Sequence, residues 1–158
     1  MGTIHAEIEL RNQADESLAG AGHLPPARVR VASVRALVDT GATSLVIPES
    51  LRRQLGLGTV AKKLAARADG TVLKCDLVGP IEVRFGGRVS IGTAIAMPDP
   101  AQVLLGALQM EDMDLLPDPG TQRLIVNPES PDRARVLAVG VRVFVGDPEG
   151  RNPENRPR

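Results

Sequence analysis

The sequence has 158 residues, enough for one domain with its own core, and 42% of them are apolar, which favours a folded chain over a disordered one. The 19 Lys and Arg residues balance the 19 Asp and Glu residues, so no charge excess favours nucleic acid or an anionic membrane surface as a partner. Cys75 is the single cysteine, which excludes an intrachain disulfide and a cysteine-based zinc site, and His5 and His23 lack metal-ligand spacing.

Short apolar runs separated by 16 glycines and 13 prolines are typical of a mostly β domain with many turns. Alternating apolar and polar residues predict a first strand over 2–10, followed by a polar loop over 12–26. A second strand is predicted over 28–38. Its apolar positions change phase near Ala32 and Ser33, which predicts a bulge or bend there.

A tight turn at 39–43 interrupts this strand, which then resumes. A short helix is predicted to begin at Pro48, because proline suits the first position of a helix. Leu51 and Leu55 would share one face of this helix, and Gly56 is placed to end it.

Two hairpins are predicted next. An Asp-Gly pair at 69–70 separates strand-like runs over 60–68 and 71–77, and this dipeptide is a strong hairpin signal. A Gly-Gly pair at 86–87 separates a run over 80–85 from the apolar segment that follows it. The middle of the chain is therefore expected to form antiparallel β-structure.

Four further elements are predicted after the hairpins. They are a short buried strand over 103–106, a helical turn over 107–113, a pair of strands over 115–127, and a last strand at an edge or interface over 135–145. The charged, proline-rich segment 146–158 is predicted to be a flexible tail. Residues 1–145 would then form one domain.

The segment ALVDTGA at 36–42 contains the residues that are candidates for catalysis. An apolar strand delivers the carboxylate of Asp39 to its end, and the hydroxyl of Thr40 can donate and accept hydrogen bonds nearby. Gly41 lets the backbone turn and lets a substrate or a second chain approach, and Ala42 keeps the floor of a site open. Two aspartates held about 3 Å apart share one proton, so one can activate a water while the other polarises a carbonyl group.

Asp39-Thr40-Gly41-Ala42 after an apolar strand resembles the signature of the retropepsin-like (retroviral-type, clan AA) aspartic peptidases. The Leu-Leu-Gly at 104–106 resembles a later motif of that family, whose strand packs beside the catalytic loop. Four residues lie where the family carries the flap hairpin that closes over bound peptide: Arg67, Ala68, Asp69 and Gly70. The resemblance covers about 28–128.

This resemblance implies a mostly β, retropepsin-like acid-protease half-barrel with one or two short helices, completed by homodimerisation. Asp-Thr-Gly occurs once, so a catalytic pair needs a second chain related by a two-fold axis. The implied activity is an aspartic endopeptidase acting on peptides or proteins, with Asp39 of each chain as the acid/base pair. Thr40 would brace the pair, and Gly41 and Ala42 would shape the floor. No metal or organic cofactor is implied.

Three other interpretations stay open. Asp39 can be a plain turn residue, since Asp-x-Gly is common turn chemistry. The chain can be a dimeric peptide-binding module that does not cleave, or a structural β domain without a site. Asp112 and Asp114, two residues apart, are expected to be solvated.

The sequence also predicts where the protein works. No run of 18 or more apolar residues is present, so no membrane-spanning helix is expected, and the first residues have neither a basic nor an apolar segment of the kind found in signal peptides. With a single cysteine, a cytoplasmic protein is expected.

Overall fold

The computed structural model describes residues 2–136. The predicted last strand, apart from its first two residues, and the predicted tail lie outside the described residues. The described part contains β1 (His5–Asn12), α1 (Gln13–Gly20), a 3₁₀ turn (Pro26–Arg28), β2 (Val31–Val38), β3 (Leu45–Pro48), α2 (Glu49–Leu55), β4 (Gly58–Ala66), β5 (Val72–Phe85), β6 (Arg88–Met97), β7 (Leu104–Leu105), α3 (Ala107–Asp112), β8 (Leu115–Asp118) and β9 (Arg123–Val126).

Seven strands form one sheet in the order β1-β2-β7-β3-β6-β5-β4, and β1 also pairs with β5. Because of this second pairing, six strands form a closed ring and β4 extends outward from β5 as an edge strand. β8 and β9 pair separately. The strands enclose a core of Ala, Val, Leu, Ile and Met side chains. The predicted mostly β half-barrel is confirmed, with 47% of the described residues in strands.

β2 delivers the chain to the candidate site without a bulge. β1 and β2 pair in an unbroken antiparallel register. The bulge predicted near Ala32 and Ser33 is therefore wrong. Ala32 and Ala36 are both buried and lie on the same face, while Val29, which suggested the change of phase, lies before the strand begins.

The first helix, α1, lies in the segment predicted to be a polar loop, so residues 2–136 contain three short α-helices. Asn12, only 4% exposed, caps α1 by accepting a hydrogen bond from the Asp15 backbone N–H, and its amide donates to the Leu55 carbonyl at 2.9 Å. The Arg30 guanidinium donates to the Asp15 carboxylate at 2.7 Å, and these hydrogen bonds lower the Asp15 pKa. Polar contacts rather than an apolar stripe hold α1, so periodicity did not predict it.

The helix predicted at Pro48 is confirmed as α2. Leu51 and Leu55 are its buried residues, and Gly56 ends it in the left-handed conformation with a φ of 62°. Both predicted hairpins are also confirmed, between β4 and β5 and between β5 and β6. Turn chemistry and helix capping act over a few residues, which is why these elements were readable from the sequence.

Asp114 differs from the solvated side chain that was expected. Its carboxylate accepts hydrogen bonds from the Asn127 side chain at 2.9 Å, from the Arg135 backbone N–H at 3.0 Å and from the Ser130 hydroxyl. These hydrogen bonds lower the pKa of Asp114 to about 2, and those from Ser130 and Asn127 contribute most. Asp114 therefore fastens the segment after β9 to the loop between α3 and β8.

This fastening predicts a specific pH dependence of stability. The folded-state pKa of Asp114 lies below its ordinary value, so its contribution is fully present above about pH 4 and is lost as the pH falls through about 2. We expect the difference in unfolding free energy between wild type and Asp114→Asn to be constant near neutrality and to shrink toward pH 2. Urea titrations at a series of pH values measure it. A difference that grows on acidification would contradict the assignment.

Candidate active site

The candidate site is built on the turn that follows β2. The Asp39 backbone N–H donates to the Leu105 carbonyl at 3.1 Å, which fixes the end of β2 against β7. The Asp39 carboxylate accepts a hydrogen bond from the Gly41 N–H at 2.9 Å, and the Ala42 N–H donates to the Asp39 carbonyl at 3.2 Å. A Cβ on Gly41 would lie 3.1 Å from the carboxylate oxygen. Glycine thus lets the turn close tightly around a partly exposed carboxylate.

β7 holds this turn from the other side. It lies between β2, to which it runs parallel, and β3, to which it runs antiparallel. A Cβ on Gly106 would lie 2.5 Å from the Ser44 carbonyl oxygen and 2.8 Å from the Ser44 nitrogen, so only glycine permits the observed approach. The first N–H groups of α3 also donate to the turn, to Ala42 O at 2.8 Å and to Thr43 O at 3.0 Å.

A groove of about 660 Å³ opens between this turn and the end of β4. Asp39, Gly41 and Ala42 lie on one side, and residues 64–68 of the β4–β5 hairpin lie on the other. Aliphatic side chains of three further strands line the rest: Val46, Ile95, Met97 and Leu104. The lining of the groove is therefore mostly apolar and includes one carboxylate, that of Asp39.

A comparison with known protein families identifies the family of the chain that contains this groove. Residues 25–108, more than half of the chain, match the family model described as aspartyl protease, of the retropepsin-like clan. The chain belongs to this aspartyl protease family. No curated protein matches the sequence. The matched region contains β2, the turn at Asp39, the β4–β5 hairpin and β7, which are among the elements that line the groove.

The fold brings together five of the eight site residues predicted from the sequence: Asp39, Gly41, Ala42, Arg67 and Ala68. Thr40, Asp69 and Gly70 are exposed and lie outside the groove lining. Asp69 instead orders the hairpin turn, because its carboxylate accepts hydrogen bonds from the N–H and the hydroxyl of Thr71, at 2.9 and 2.6 Å. These hydrogen bonds from Thr71 lower the Asp69 pKa.

Sequence reasoning missed the aliphatic walls. Ile95 and Met97 alternate along β6 with the buried residues Ala94 and Ala96, so their phase indicates that they face away from the core. This alternation does not predict which part of the surface Ile95 and Met97 belong to. The parallel pairing of β6 with β3 decides that, because it brings the two side chains beside the turn at Asp39. Pairing between distant strands therefore decided the shape of the groove.

Charge in the groove is sparse. Among its lining residues within 2–136, Asp39 and Arg67 are the charged ones, and the others are apolar side chains, Gly41 and two hydroxyl residues. The described part of one chain thus contributes a single carboxylate to the groove. In the same part of the chain, no three His, Cys, Asp or Glu side chains are grouped as metal ligands, and no helix has the length and apolarity needed to cross a bilayer.

Proposed function

We propose that this protein is an aspartic endopeptidase that acts as a homodimer, with Asp39 of each chain forming the catalytic pair. The observation that carries the proposal is the single carboxylate, that of Asp39, in the lining of a mostly apolar groove, in a chain of the aspartyl protease family. One carboxylate cannot serve as base and acid in the same step. A second copy of the turn, related by a two-fold axis, supplies the other.

The proposed mechanism follows from the shared proton of such a pair. The ionised carboxylate takes a proton from a water, and the resulting hydroxide attacks the peptide carbonyl carbon while the protonated carboxylate donates a hydrogen bond to the carbonyl oxygen. The tetrahedral intermediate collapses when the C–N bond breaks and the leaving nitrogen receives a proton. No bond forms between protein and substrate.

The surrounding residues receive supporting roles in this proposal. Thr40 is exposed next to Asp39, in a position to meet the equivalent turn of a second chain and brace it. Gly41 and Ala42 line the floor, where they shape the space for the substrate backbone. Arg67, Ala68, Asp69 and Gly70 form the exposed turn of the β4–β5 hairpin and would close over the substrate as a flap.

The substrates in this proposal are peptides or proteins that enter the groove in an extended conformation. The groove lining is mostly aliphatic, and hairpin residues 64–68, which contribute to it, include no aromatic side chain, so aliphatic side chains on either side of the scissile bond fit the groove best. A single, buried cysteine supports work in a reducing compartment, and we propose the cytoplasm.

Subunit mixing tests the shared site directly. Wild type at a fixed concentration is mixed with an equal amount of Asp39→Asn protein and allowed to exchange subunits, and cleavage of a peptide library is measured at mildly acidic pH. Random pairing leaves about half of the wild-type chains in fully competent dimers, so the rate is expected to fall to about half. A site complete within one chain predicts an unchanged rate.

An equal amount of unrelated protein serves as the mixing control, and sedimentation of each sample reports whether dimers form. A strict monomer that cleaves peptides would contradict the homodimer mechanism. A dimer that binds library peptides in the groove without cleaving them would instead leave the chain as a peptide-binding module.

A further inference from the structure

We infer that Arg67 makes this groove selective for peptides that carry an acidic side chain close to the scissile bond. The inference rests on the proposed function of the Asp39 groove and adds a substrate class to it. Arg67 lies at the start of the hairpin turn and lines the groove across from the catalytic turn.

The groove offers an acidic substrate side chain one place to bind. Asp39 and Arg67 are the charged residues of its lining within the described chain, and the walls are aliphatic. An aspartate or glutamate of the substrate is repelled near Asp39 and is costly to bury against the walls without a partner. A guanidinium presents several N–H donors in a plane and binds a carboxylate with two parallel hydrogen bonds.

The Arg67 side chain is available for such a contact. Within residues 2–136, Arg67 takes part in none of the ion pairs formed by the side chains. Asp69, the acid of the same turn, already accepts two hydrogen bonds from Thr71. The Arg67 backbone is fixed, since its N–H donates to Thr71 O at 2.8 Å and its carbonyl accepts from Gly70 N at 2.9 Å. The turn thus positions a guanidinium without neutralising it by direct contact.

The other basic residues of the hairpin do not share this position. Lys62 pairs with Asp76 at 2.6 Å across β4 and β5, and neither Lys62, Lys63 nor Lys74 lines the groove of Asp39. The positive charge facing the substrate therefore comes from Arg67 alone among the described residues of the hairpin. Lys63, an exposed cation outside the groove on the same hairpin, gives a matched control for general charge effects.

The experiment uses peptides that carry an aliphatic residue on each side of the scissile bond. At one neighbouring position at a time, one peptide of each pair has glutamate and its twin has glutamine. We expect wild type to cleave the best glutamate peptide about 2- to 5-fold more efficiently, in kcat/KM, than its glutamine twin, as for a partly exposed ion pair. Arg67→Gln is expected to abolish this ratio and Arg67→Glu to invert it. Lys63→Glu is expected to keep it.

Binding separates this inference from the proposed function. The same peptide pairs are titrated against Asp39→Asn and against Asp39→Asn combined with Arg67→Gln. An Arg67-dependent preference in binding supports the inference even if wild type cleaves nothing, in which case the peptidase proposal alone fails. Equal cleavage or binding of both twins by wild type, a preference that survives Arg67→Gln, or binding of no peptide in the set would each overturn the inference.

Discussion

Replacement of Asp39 by asparagine is expected to lower peptidase kcat/KM by at least about 10²- to 10⁴-fold, the usual contribution of an acid/base group. Asparagine keeps the shape of the side chain, and its amide oxygen can still accept the hydrogen bond from the Gly41 N–H. It cannot take a proton from water, and in the proposed homodimer both carboxylates of the catalytic pair are replaced at once. Peptide cleavage at mildly acidic pH measures the loss.

Two controls make this result specific. Asp112→Asn changes an exposed carboxylate at the end of α3, outside the groove lining, and is expected to keep wild-type activity. The unfolding free energy of Asp39→Asn should stay within about 0.5 kcal/mol of wild type, as for a surface substitution without a special role. Equal activity of Asp39→Asn and wild type would leave Asp39 as a turn residue and end the peptidase proposal.

Replacement of Gly106 by alanine is expected to destabilise the fold by about 1–3 kcal/mol, the usual range for overpacking. The added Cβ would meet backbone atoms of Ser44 at 2.5 to 2.8 Å, and a backbone cannot rotate away as a flexible side chain can. The backbone shift that relieves this contact must also displace the turn that carries Asp39, because the carbonyls of Ala42 and Thr43 accept hydrogen bonds from the start of α3. Urea unfolding measures the first effect and peptide cleavage the second.

Gly92→Ala is the matched control for this prediction. Gly92 lies in β6, and a Cβ there would meet no atom within 4 Å. We expect this variant to be neutral or slightly more stable, since alanine reduces the conformational entropy of the unfolded chain. If Gly106→Ala and Gly92→Ala have the same stability and activity, the close approach of β7 to Ser44 does not position the turn at Asp39.

The sequence by itself determined the elements whose causes are local. The alternation of residues predicted β1, the Asp-Thr-Gly at 39–41 marked the turn after β2, and Gly56 ended α2 as capping chemistry requires. The Asp-Gly at 69–70 fixed the hairpin turn. In each case the deciding residues lie within a few positions of the element, where periodicity and turn chemistry act.

Only the tertiary structure decided how these elements form a groove. β7 enters between β2 and β3 from more than fifty positions along the chain, and Gly106 matters because it meets Ser44 there. Ile95 and Met97 became groove walls through the pairing of β6 with β3, and Asp114 found partners 13 to 21 residues away. Such contacts arise when distant strands pair to bury their apolar faces, so no local pattern specifies them.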